Sequence, residues 1–111
     1  MAKLKRNYSS RTMQALKVFA LQIQVARKQH GWSEAELAER VGASRPTIRQ
    51  IEQGNPATGL GLYFEVATLL GLPLFAEDEA ALKSSEDRLG LQLALLPKRI
   101  SKDEGEVFDD F

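Results

Sequence analysis

Apolar residues return every three or four positions in four stretches, and then the rhythm changes. Leu16, Phe19, Ala20, Ile23 and Ala26 form one stripe, which predicts a helix over about 12–29. Arg27 and Lys28 fall in its last turn, where a cation suits the helix dipole, and Gly31 stops it. Leu37, Ala38 and Val41 repeat the spacing, and Ile48 and Ile51 repeat it again. A fourth stripe, Leu62, Val66, Leu69 and Leu70, predicts a core-facing helix over 62–70 that Gly71 caps. Tyr63 and Phe64 are neighbours on that helix and cannot both face inward, so one is left to look towards a partner copy.

The polar residues between these stripes set the boundaries. Ser33 is a good N-cap, and Glu36 three positions later completes a capping box. Gly42 then ends the helix, because glycine adopts the left-handed conformation without steric cost. Ser44 caps the next helix, Pro46 lies in its first turn where a missing N–H is harmless, and Gly54 ends it. Two short helices joined by a glycine turn make a helix-turn-helix. The polar side of the second one carries Arg45, Thr47, Arg49 and Gln50, side chains able to touch phosphates and base edges. Asn55 to Gly59 is a turn by composition.

Beyond Gly71 the pattern is less regular. Leu72 to Phe75 reads as a short strand or an extended segment, with Pro73 restricting any strand to an edge. Glu79 to Lys83 begin or belong to a helix. The leucines of 89–96 alternate as in a strand, yet Leu82, Leu89, Leu93 and Leu96 also fit a helical stripe. The run Ser84 to Asp87 offers a cap, which favours the helix. So many leucines on a small protein need a cover, either a second copy or another protein. The last nine residues are acidic, with Phe108 and Phe111 among them, and cannot bury enough surface to fold alone. The two aromatics suit a docking segment for a partner's basic groove.

Composition narrows the function classes. There is no cysteine and only one histidine, so thiolate sites and disulfides are excluded and His30 reads as a surface residue at a helix end. No Gly-rich phosphate loop, metal-ligand cluster or nucleophile–base spacing occurs, so neither enzyme activity, a metal nor a cofactor is expected. No apolar run approaches the roughly 18 residues that span a membrane, and no signal-peptide core is present, so a cytoplasmic protein is expected. Net charge is zero, but residues 1–75 hold ten basic against five acidic residues, or +5, and 76–111 hold −5. That asymmetry suits a nucleic-acid-binding part followed by an acidic part with another task. The division expected is a flexible basic arm at 1–11, a DNA-binding domain at 12–75, and a dimerisation or partner-binding extension with a disordered tail at 76–111.

The segment Gly31-Trp32-Ser33, Glu36-Leu37-Ala38, Val41-Gly42, Ser44, Ile48, Ile51-Glu52 and Gly54 resembles the Xre/Cro/C1-type helix-turn-helix repressors. Within them the chain, through Trp32, Thr47-Ile48 and its long tail, is most similar to HipB-type antitoxins, which pair with HipA-like kinase toxins. The resemblance runs from about Leu16 to Leu72. It implies an all-α fold, a five-helix lambda-repressor-like domain with a C-terminal extension. It implies a homodimer that reads an operator in double-stranded DNA, with Ser33, Ser44, Arg45, Pro46, Thr47, Arg49, Gln50 and Asn55 as the DNA-binding set. It also implies that the strand at 72–75 pairs with its twin. Arg45 and Arg49 suit guanine, Gln50 adenine or the backbone, Pro46 a thymine methyl, and Ser44 and Thr47 phosphate. The family usually carries a smaller apolar residue where Trp32 stands, which is expected to wedge between the first helix and the motif. It usually has Gln where this chain has Glu34, and phosphate repels a carboxylate. Either Glu34 turns away or the grip on DNA differs at that edge. A stand-alone repressor, and an interaction module that has lost DNA, are the alternatives.

Overall fold

Ser9 starts the first helix. Its hydroxyl accepts from the Thr12 N–H, so α1 runs Ser10–Gln29, two residues earlier than the apolar stripe indicates. The computed structural model describes residues 6–100. Among the described residues there are four further helices, α2 (Glu34–Val41), α3 (Arg45–Glu52), α4 (Leu60–Leu69) and α5 (Glu79–Ala94), and no strand, so the fold is all-α. The part of the expected arm at 1–5 and the tail with Phe108 and Phe111 lie outside the described residues; Ser10 and Arg11 belong to α1.

The chain divides into two units between Leu74 and Phe75. In the first, α1 to α4 close around one core of Ile23, Ala26, Leu37, Ala38, Ile48, Ile51, Tyr63, Val66 and Leu70. Leu16, Phe19, Trp32, Val41, Leu62 and Leu72 pack at its edge. The stripe expected on α4 is corrected in one place: Leu69 stays exposed, and Tyr63 is the inward residue. Positions 63, 66, 67 and 70 follow the helical repeat that meets the core, and 69 lies off it. The Tyr63 ring stacks on Phe19 at 5.8 Å, with Phe64 edge-on to Phe19 at 6.5 Å.

Arg27 does more than complement a dipole. Its Nε and Nη2 donate to the two carboxylate oxygens of Glu52 at 2.6 and 3.0 Å, and its Nη1 donates to the Trp32 carbonyl at 2.9 Å. This bidentate pair is buried. It ties the end of α1 to the end of α3. The hydrogen bonds to Glu52 hold the Arg27 guanidinium above its already high ordinary pKa, against the opposing effect of burial. Trp32 sits half-buried beside it, with Arg40 4.2 Å above its ring and His30 4.5 Å away. His30 itself is exposed and caps α1.

Leu72 to Phe75 does not form a strand. The Leu72 N–H is spent on the Ala67 carbonyl at 2.9 Å, closing α4, Pro73 has no N–H, and Phe75 takes φ +68°, outside the extended range. In the second unit the leucines of 89–94 are helical. The cap is Asp78, whose carboxylate accepts from the Ala81 N–H at 2.9 Å, rather than the run 84–87, which lies inside α5. Lys83 and Asp87 pair at 3.2 Å along the helix, and none of the side chains of α5 is buried. Among the described residues no helix is long and apolar enough to cross a membrane.

Candidate nucleic-acid interface

Two caps and a glycine fix how α3 is presented. Ser33 Oγ accepts from the Glu36 N–H at 3.1 Å while the Glu36 carboxylate accepts from the Ser33 N–H at 2.8 Å, a complete capping box on α2. Gly42 at φ +81° turns the chain sharply, and Ser44 begins α3 by accepting from the Thr47 N–H at 3.2 Å. Pro46 occupies the first turn. Ile48 and Ile51 are driven into the core, so the residues between them must face out. Arg45, Pro46, Arg49, Gln50 and Gln53 line one open hollow along that outer side.

The sequence-derived candidates fall into two groups. Arg45, Pro46, Thr47, Arg49 and Gln50 share α3, with Ser44 at its start and Asn55 just past its end. Ser33 stands apart as the cap of α2, its hydroxyl oxygen accepting from the Glu36 N–H. The hydroxyls of Ser44 and Thr47 lie 2.8 Å apart, one donating to the other. Asn55 accepts from the Ala57 N–H at 2.8 Å, which fixes its amide so that its nitrogen donates to the Gln50 carbonyl oxygen. Gln50 keeps both of its N–H donors and a second lone pair on that oxygen, which suits a phosphate oxygen or the N6 and N7 of adenine. The loop is anchored from below, because the Tyr63 hydroxyl donates to the Asn55 carbonyl at 2.8 Å. Burial pushes the Tyr63 phenol above its ordinary pKa.

Glu34 carries the departure from the usual pattern. It turns towards α3, where one carboxylate oxygen accepts from Arg49 Nη2 at 3.1 Å and lies 3.8 Å from Arg45 Nε. Neither partner was legible as such, since 15 positions separate Glu34 from Arg49 and the contact depends on how α2 crosses α3. An α-helix with its side chains is about 10–12 Å across, which the roughly 12 Å width of the major groove of B-DNA admits.

The Helix-turn-helix family model matches residues 23–75. No curated protein matches the sequence at a significant level. Among solved structures, a complex of a HipB variant with an O2 20mer is 28% identical, covers 68% of this chain and 97% of its own, and superposes with a TM-score of 0.50. A HipA–HipB–O2–O3 complex has the same identity and coverage, with a TM-score of 0.48.

Proposed function

We propose that this chain, whose residues 23–75 carry an Xre/Cro/C1-type helix-turn-helix domain, is a sequence-specific DNA-binding repressor and an antitoxin that controls its own operon. The observation that carries the DNA part is the outer side of α3, where Arg45 and Arg49 stand exposed beside Pro46 and Gln50 over a helix pinned to the core by Ile48 and Ile51. Guanidinium groups on a short rigid helix are what direct reading of guanine requires. A two-fold homodimer would place two such helices in successive major grooves, about one helical turn apart. The antitoxin part rests on the sequence resemblance and on the likeness to a HipB structure, and it gives a HipA-like kinase toxin as the second partner.

The test is a titration of the DNA preceding the protein's own gene at several salt concentrations. A shift that weakens steeply with salt and outlasts an excess of unrelated duplex supports the reading. A flat salt response supports the interaction module instead. Co-purification of a kinase-like protein with the full chain, lost when 101–111 are removed while operator binding persists, supports the antitoxin role. A chain that binds its operator and captures no such protein is the stand-alone repressor.

A further inference from the structure

We propose that Glu34 is a specificity-determining positioning residue, which holds Arg45 and Arg49 off the phosphates and aims them at base edges. This rests on the DNA-binding reading above. The Glu34 side chain is 23% exposed, while those of Arg45 and Arg49 are 60% and 54% exposed, so the carboxylate lies behind two arginines that remain available to a ligand. It faces Arg45 through Nε, which leaves both terminal nitrogens of Arg45 as a planar fork for the O6 and N7 of guanine. It engages Arg49 through one nitrogen and leaves the others free.

An unrestrained arginine on this face would find phosphate oxygens on every duplex, whatever the sequence. Phosphate contacts position a protein and base contacts specify its target. A carboxylate hydrogen-bonded to Arg49 and 3.8 Å from Arg45 restricts the first guanidinium and offsets part of the charge of both, so it reduces the indiscriminate component of binding. The same carboxylate repels the backbone wherever the arginines are not docked on bases. Glu34 is itself held in place. It is the first residue of α2, whose start is fixed by the Ser33–Glu36 box, and a carboxylate there is favoured by the helix dipole.

The experiment compares the full chain with Glu34→Gln on two probes. One is the duplex that the parent protein enriches from a randomised pool, and the other is a scrambled duplex of the same composition. The Glu34→Gln protein should bind the scrambled duplex more tightly, with a log affinity against log salt slope steeper by about one. Its preference for the selected duplex should fall about tenfold. In Arg49→Ala protein, Glu34→Gln should change that preference much less, because the closer of its two contacts is already gone. If Glu34→Gln strengthens both duplexes equally and leaves the preference unchanged, Glu34 is only a repelling charge and the inference fails. If the parent protein enriches no sequence at all, the DNA-binding reading itself fails. Equal melting of parent and variant confirms that folding is not what changed.

Discussion

Arg27 and Glu52 face each other inside the domain with two hydrogen bonds of 2.6 and 3.0 Å, and both side chains are more than nine-tenths shielded from water. The pair joins α1 to the last residue of α3, so it sets the depth at which the exposed helix face is held. Removing one partner leaves a charge buried without compensation.

Arg27→Ala and Glu52→Ala should therefore each destabilise the domain by about 3–5 kcal/mol, read by urea unfolding. The double substitution Arg27→Met with Glu52→Leu should recover much of that loss, since an apolar pair of similar volume replaces the charges. Recovery should remain partial, because the Trp32 carbonyl also loses its donor. A single substitution costing less than 1 kcal/mol would show that the pair is not what joins the two helices.

Tyr63 gives a pH dependence. Its phenol is buried and its pKa is raised in the folded state, so its contribution is fully present below the unfolded value near 10. As pH rises past that value, the unfolded chain releases the proton before the folded one does, and stability falls until the folded pKa is passed. Urea unfolding at pH 9 and pH 11 should show this loss, and Tyr63→Phe should lack that component. The variant should also be weaker at neutral pH by about 0.5–1.5 kcal/mol, having lost the bond to the Asn55 carbonyl.

Gly54 is buried at φ +73°, and a Cβ there would lie 3.4 Å from the Leu16 carbonyl oxygen. Gly54→Ala should lower stability by about 1–2 kcal/mol, because an L-residue is strained in that conformation. Gly54→Asn should cost more, because its better tolerance of the left-handed region is outweighed by fitting a larger polar side chain against the Leu16 backbone in a buried position. Thermal melting of the two variants checks the order.

How far these features were legible follows from their range along the chain. The Ser33–Glu36 box, the Ser44 cap and the turn at Gly42 are local chemistry, and each stands where the residue pattern puts it. The core stripe of α1 was equally readable, because helical repetition needs no knowledge of neighbours. Where two signals competed, packing decided: Tyr63 displaced Leu69 from the core of α4, and Asp78 capped α5 before the serines of 84 and 85 could. The run 72–75 has the apolar residues of a strand, but its first N–H closes α4 and its last residue turns left-handed. Arg27 with Glu52 and Glu34 with Arg49 lie 25 and 15 positions apart, and nothing short of the helix crossing brings them together. In the candidate interface, the residue types were thus visible and their mutual engagement was not. The bond from the Asn55 amide to the Gln50 carbonyl oxygen is one such engagement.

The most direct measurement is enrichment from a randomised duplex pool by the parent protein and by an Arg45→Ala/Arg49→Ala variant of equal melting temperature. The account predicts that the parent selects a palindromic pair of half-sites about one helical turn apart, each containing guanine, and that the variant loses the guanine preference. The same sequence enriched equally well by both proteins would contradict it.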